Sequence, residues 1–222
     1  MKIENKFLKI NKTVRYSTFG DLTSETKYFW ILLHGSNMIC EQMLYKFKNF
    51  NPKEHFLISP EGLSRFYKSG FNGDVVASWI TKRDRLEEIK DVSGYLTKIL
   101  NLYKKHLSKK CKTILLGFSQ GGTIGFRWLH SKNINIDYFI PYSCWIPEDI
   151  NLKLSKTDLN KVNIIYTYGI DDPYINKKKS DEVIALVNKN KIKISFEKYK
   201  GSHRVEKTQL IYIFKKYITS SD

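Results

Sequence analysis

Short uninterrupted hydrophobic runs alternate along the chain with longer segments in which hydrophobic residues recur every three or four positions. Continuous apolar and β-branched runs are typical of strands that are covered on both faces of a parallel sheet. Such runs predict strands at residues 27–35, 54–62, 112–118, 135–143, 162–169 and 193–199. A weaker pattern over residues 7–20 predicts an antiparallel hairpin or an edge strand.

The segments with helical spacing lie between these runs. Thr81 and Asp84 have the spacing of a capping box at the start of one helix, and Ser180 is the predicted N-cap of another. A further helix is predicted after the glycine-rich turn near residue 119. The other predicted helices cover residues 81–107, 180–190 and 205–218.

Strands that alternate with helices predict right-handed βαβ units. The expected fold class is therefore α/β, with a mostly parallel central sheet and helices on both faces. The chain has no internal repeat and no linker-like segment, so we expect a single domain over residues 1–222.

The composition is that of a folded, water-soluble chain. Hydrophobic residues make up 41% of the 222 positions and aromatic residues 14%, which is enough for a sizeable core. Hydrophobic runs are too short to cross a bilayer, the N-terminus does not resemble a signal peptide, and three scattered cysteines do not suggest a disulfide framework. We therefore expect a reduced, cytoplasmic protein, and no metal or other cofactor, because the sequence has no cluster with metal-ligand spacing.

The formal net charge of +16 allows two interpretations. Lysines greatly outnumber arginines and are spread along the whole chain. This distribution favours a lysine-rich background composition over a nucleic-acid interface, where arginine usually reads the bases. We expect no nucleic-acid partner. The alternative, a basic nucleic-acid binder, predicts an affinity that falls steeply with salt.

Residues with catalytic chemistry follow four predicted strands, at the sheet edge where open α/β folds place their sites. The turn GFSQGG (117–122) fits G-x-S-x-G between a strand and a helix, and it presents Ser119 as a nucleophile. The loop after WILLHG contains Ser36, and the backbone N–H groups of Ser36 and Gln120 form the predicted oxyanion hole. We expect the backbone amide of Gln120 to matter rather than its side chain. His34 is expected to be a hydrogen-bonded structural residue.

An acid and a base come later in the chain. The loop YGIDDPYI (168–175) offers Asp171 and Asp172, and reasoning from the residues alone leaves the two tied. The loop YKGSHRVE (199–206) places His203 between the last strand and the last helix. A serine, an aspartate and a histidine in this order, each after a strand, are expected of an α/β-hydrolase.

The chain resembles the phospholipase/carboxylesterase branch of the α/β-hydrolases, which includes acyl-protein thioesterases. The resemblance covers nearly the whole chain and rests on the segments LLHG, GFSQGG, YSCWIPED, GIDDPYI and GSHRV. It implies a triad of Ser119, His203 and Asp172, because the acid of the branch precedes a proline, as Asp172 does. The loop HGSNMICEQM lacks the HGxGD pattern that is common in this branch. Residues 59–85 have the SW of the branch without its usual aspartate, and they are more similar to bacterial serine esterase-like members.

The predicted function is a serine hydrolase that cleaves small-molecule carboxylic esters through an acyl-enzyme. Trp79 and Trp145 are predicted to line the substrate pocket, with Phe71 and Tyr174 at the same edge; the alternative for each is packing of the loops on the sheet. Other functions compatible with the sequence are an acyl thioesterase, a lysophospholipase or a non-catalytic binding protein of the same fold. A homodimer is a further expectation.

Overall fold

The computed structural model describes residues 2–131 and 134–221, and within them seven strands form one sheet. The strands of the chain are β1 (Tyr16–Phe19), β2 (Tyr28–Leu33), β3 (His55–Pro60), β4 (Ser64–Tyr67), β5 (Val75–Ser78), β6 (Lys112–Phe118), β7 (Tyr138–Tyr142), β8 (Asn163–Gly169) and β9 (Ile194–Tyr199). Their order in the sheet is β1-β3-β2-β6-β7-β8-β9, and β4 and β5 form a separate antiparallel hairpin. Neighbours in the sheet are parallel, except that β1 is antiparallel to β3.

Helices cover both faces of this sheet. They are α1 (Glu41–Leu44), α2 (Arg85–Lys104), α3 (Gln120–His130), α4 (Leu152–Leu159), α5 (Lys177–Asn190) and α6 (Lys207–Ile213), and a π-helical turn (Phe214–Ile218) extends α6. Hydrophobic side chains from α2 to α5 pack on one face, and those from α1 and α6 pack on the other. Among the described residues, no helix has the length and hydrophobicity needed to cross a bilayer.

The predicted fold class is confirmed, and β2 illustrates why the pattern was informative. Phe29 and Ile31 belong to the core on one face of the sheet, whereas Trp30 and Leu32 belong to the core on the other. A strand that is buried on both faces must be hydrophobic at every position. Each of the six predicted strands has a counterpart, and the weaker N-terminal pattern corresponds to the edge strand β1.

Two predicted helix starts are wrong. Asp84 precedes α2 in a left-handed conformation and forms no side-chain capping bond, whereas Thr81 bonds to Glu88 through its N–H (2.6 Å) and its hydroxyl (3.1 Å). Helix α5 starts a turn earlier than predicted, because Asn176 accepts a hydrogen bond from the Lys179 N–H at 3.0 Å and caps it. The β4–β5 hairpin and the short helices α1 and α4 were not predicted.

His55 makes stability depend on pH. It lies within an aromatic cluster, and its Nδ1 accepts a hydrogen bond from Trp30 Nε1 at 3.0 Å. Burial lowers the pKa of His55 from 6.5 to about 4. Between these values the unfolded chain binds a proton that the folded protein does not bind, so the free energy of unfolding falls as the pH falls, by up to about 1.4 kcal/mol per pH unit for this group.

We therefore expect His55→Gln, which can still accept from Trp30, to flatten the pH dependence. Urea unfolding of both proteins at pH 7, 5.5 and 4.5 measures this difference directly, because contributions from other groups are common to the two proteins. Equal slopes in the two proteins would contradict the assignment.

Candidate active site

Ser119 occupies a sharp turn between β6 and α3. Its backbone has φ 52° and ψ −118°, a region that residues other than glycine rarely adopt. Its N–H donates to the Tyr142 carbonyl (2.9 Å), and its own carbonyl accepts from the Gly122 N–H (3.0 Å). Hydrogen bonds on both sides of the residue therefore hold the strained conformation, at the carboxyl edge of the sheet.

Close backbone contacts explain the glycines of this turn. A Cβ atom on Gly117 would lie 2.5 Å from the Gly121 carbonyl oxygen, and one on Gly125 would lie 2.6 Å from the Phe139 ring. Larger residues would force α3 away from β6 and β7 and would open the turn at Ser119.

His203 lies between the serine and an aspartate. Its Nε2 is 3.0 Å from Ser119 Oγ, and its Nδ1 is 2.8 Å from Asp172 Oδ2. The other carboxylate oxygen of Asp172 accepts from the N–H groups of Tyr174 (2.8 Å) and Ile175 (3.1 Å). Because a carboxylate only accepts, Nδ1 carries the proton and Nε2 is free to accept from the serine hydroxyl.

The structure separates the two aspartates that reasoning from the residues left tied. The Asp172 side chain is completely buried against His203, whereas Asp171 is exposed. Two backbone hydrogen bonds join the acid loop to the histidine loop: Ile170 N–H to the Tyr199 carbonyl (2.9 Å) and Asp171 N–H to the Gly201 carbonyl (3.0 Å). These bonds hold the two loops together and so set the distance between the Asp172 carboxylate and the His203 imidazole.

Two aromatic rings hold the imidazole. The ring centroid of His203 lies 4.9 Å from that of Phe118 and 4.6 Å from that of Tyr174, which packs edge-on. Tyr174 was predicted only at the edge of the pocket, and Phe118 was not among the predicted site residues. The available signal was the position of Phe118 directly before Ser119, the predicted nucleophile.

The predicted oxyanion donors lie at the same edge. Gln120 is the first residue of α3, where helix N–H groups lack intrahelical acceptors and carry partial positive charge. Within residues 2–131 and 134–221, neither the Gln120 N–H nor the Ser36 N–H has an acceptor. The Ser36 loop is anchored to β5 by bonds from the Asn37 N–H to the Ala77 carbonyl (3.1 Å) and from the Ala77 N–H to the Met38 carbonyl (2.9 Å).

A family model described as phospholipase/carboxylesterase matches residues 23–221. The chain belongs to this family of hydrolases. In fold it is similar to Zea mays acyl-protein thioesterase 2 (TM-score 0.71, 16% identity, 93% of this chain and 98% of that one). It is also similar to the Bacillus cereus carboxylesterase (TM-score 0.66, 14% identity, 95% and 96%). A search of curated proteins gave no match.

The two tryptophans predicted to line the pocket of this family member differ in exposure. Trp145, in the segment that follows β7, is 51% exposed, so its side chain is accessible. Trp79 is only 1% exposed, and its indole Nε1 donates to the His34 carbonyl at 2.8 Å. The assignment of Trp79 to substrate contact is therefore corrected to a buried packing position. Phe71 is almost fully exposed at the tip of the β4–β5 hairpin.

His34 is a structural residue, as expected. It is completely buried, its Nδ1–H donates to the Gly35 carbonyl (2.7 Å), and its Nε2 accepts from the Gly62 N–H (2.9 Å). Burial lowers the pKa of His34, which keeps the imidazole in the neutral form that these two bonds require.

The side chain of Gln120 has a larger part than expected. Its Oε1 accepts from Ser78 Oγ (3.1 Å) and the Trp79 N–H (2.9 Å), and its Nε2 donates to the Ile80 carbonyl (2.9 Å). The expectation that its backbone alone matters is therefore corrected.

A separate cluster near β1 has ligand types that bind metals. Ligand atoms of Cys40, Glu41 and Glu61 lie within 4.8 Å of one another. Arg15 bonds to Glu41 at 2.5 Å and Arg65 lies 3.5 Å from Glu61, so an arginine already balances each carboxylate. Burial raises the pKa of Cys40 to about 11, which favours the thiol over the thiolate that would bind a metal.

Proposed function

We propose that this chain is a serine hydrolase that cleaves carboxylic esters of small molecules through an acyl-enzyme on Ser119. The observation that carries the proposal is the continuous chain of hydrogen bonds from Ser119 through His203 to the buried Asp172. Membership of the phospholipase/carboxylesterase family supports the same chemistry.

The proposed reaction has two steps. Ser119 Oγ attacks the ester carbonyl while His203 Nε2 takes the hydroxyl proton, and the N–H groups of Ser36 and Gln120 stabilise the oxyanion. His203 then protonates the leaving alcohol. In the second step it activates the water that hydrolyses the acyl-enzyme, while Asp172 remains ionised and holds the imidazolium.

Two large aromatic side chains are exposed on the loops at this edge of the sheet. Trp145 and Tyr174 are 51% and 59% exposed, and Tyr174 also touches His203. Large aromatic side chains at a site contribute apolar contact area for an acyl or alcohol group. These two exposed rings therefore favour an ester with an apolar acyl or alcohol group.

A chain-length series of p-nitrophenyl esters and the matching acyl thioesters tests the proposal. We expect the native protein to hydrolyse the esters with a burst of p-nitrophenol equal to the number of active sites, and to react covalently with a fluorophosphonate probe. Higher kcat/KM values for the thioesters would move the assignment to an acyl thioesterase. No turnover and no labelling would leave a binding protein of this fold and overturn the proposal.

A cytoplasmic location and a homodimer belong to the same proposal. The cysteines Cys40, Cys111 and Cys144 are all free thiols, which suits a reducing compartment. Sedimentation equilibrium of the purified chain tests the dimer.

A further inference from the structure

Side chains that do not contact the reacting atoms connect the two loops that carry the proposed oxyanion donors. We infer that His34, Trp79 and Gln120 form a positioning network that orients the N–H groups of Ser36 and Gln120 toward the same point. The inference rests on the proposed function, because it concerns the donors of that reaction.

His34 acts on the peptide group that contains the Ser36 N–H. The Gly35 carbonyl and the Ser36 N–H belong to one planar trans peptide and point in opposite directions. By donating from Nδ1 to the Gly35 carbonyl at 2.7 Å, His34 fixes the plane and therefore the direction of the Ser36 N–H. The bond from the Gly62 N–H to Nε2 at 2.9 Å holds the ring from its other side and fixes the tautomer.

Trp79 holds His34 in turn. Its indole Nε1 donates to the His34 carbonyl at 2.8 Å, and the two rings lie 4.8 Å apart between centroids. The contact therefore restrains both the backbone and the ring of His34. Trp79 is buried, so these bonds form away from competing water.

Gln120 links this arrangement to the nucleophile turn. Its side-chain amide bonds at 2.9 Å to the Trp79 N–H and at 2.9 Å to the Ile80 carbonyl, while its own backbone N–H is the second donor. Gln120 thus supplies one proposed oxyanion donor from its backbone. Its side chain holds the segment of Trp79, which positions the other donor, the Ser36 N–H. The distance between the two donors depends on this link.

Trp79→Phe tests the network because it keeps an aromatic ring at this position and removes the indole N–H. Trp30→Phe is the matched control: Trp30 is equally buried, and its indole N–H donates to His55 at 3.0 Å on the other face of the sheet. Gln120→Met removes the hydrogen bonds of the side-chain amide and keeps a side chain of similar length. Active-site titration counts competent sites, so a loss of folded protein does not enter kcat.

We expect Trp79→Phe and Gln120→Met to lower kcat on titrated sites by about 10- to 100-fold, with KM changed less than about threefold, because the donors act mainly in the transition state. The ratio of kcat/KM for an ester over its thionoester should fall by a similar factor, since sulfur accepts hydrogen bonds poorly from donors placed for oxygen. Trp30→Phe should leave both quantities unchanged.

Backbone NMR separates this inference from the proposed function. The amide resonances of Ser36 and Gln120 are expected to shift in Trp79→Phe and to stay in place in Trp30→Phe, whether or not the protein hydrolyses esters. If the native protein is inactive but the resonances shift in Trp79→Phe, the proposed reaction is wrong and the network stands. Unchanged amide resonances, or an unchanged ester-to-thionoester ratio in an active protein, would overturn the network.

Discussion

Replacing Ser119 by alanine is expected to lower kcat/KM for p-nitrophenyl butyrate by about 10⁴- to 10⁶-fold, because removing the nucleophile of a triad leaves only binding and the oxyanion donors. Labelling by a fluorophosphonate probe should disappear completely. The fold should be retained, since the bonds that hold the turn come from the backbone of residue 119 and do not use its hydroxyl.

Ser24→Ala is the control for this variant. Ser24 is exposed in the loop before β2, at the sheet edge opposite the candidate site. Its substitution should change neither the hydrolysis rate nor the labelling. If Ser119→Ala is labelled as strongly as the native protein, another side chain is the nucleophile and the proposed reaction is wrong.

Asp172→Asn is expected to lower kcat by about 10³- to 10⁴-fold with intact folding. An asparagine at this position retains the shape and presents either an N–H or a carbonyl to His203 Nδ1. In the first arrangement it forces the proton to Nε2, where the imidazole can no longer accept from Ser119. In the second it lacks the charge that stabilises the imidazolium.

Asp171→Asn provides a control from the neighbouring position, with the same chemical change on an exposed side chain. We expect its kcat to remain within about twofold of the native value, as is usual for surface substitutions. Stopped-flow measurement of acylation on both variants compares the two roles directly. A larger loss in Asp171→Asn would reverse the assignment of the acid.

Strand β4 and the start of helix α5 were missed because both depend on the three-dimensional path of the chain. All residues of β4 are exposed, so this strand has no buried face and no alternation of hydrophobic and polar positions. Its existence depends on pairing with β5. Helix α5 begins at Lys177, after the N-cap Asn176, whose capping bond becomes visible only when the backbone direction after β8 is known.

The sequence itself determined the order of the candidate catalytic residues and the strands that they follow. Buried strands must be hydrophobic on both faces, and tight turns such as the one at Ser119 require small neighbours, so both leave local patterns. The sequence therefore places the serine, the histidine and the pair of aspartates at one edge of a parallel sheet.

Only the tertiary structure supplies the physical reason why particular groups meet. Asp171 and Asp172 are adjacent and chemically identical, and only the path of the loop after β8 buries one of them against His203. Trp79 and Gln120 likewise acquire their parts from partners 45 and 41 positions away in the chain. Hydrogen bonds between distant residues leave no periodic signal, because they depend on the folded distance between two loops and not on spacing along the sequence.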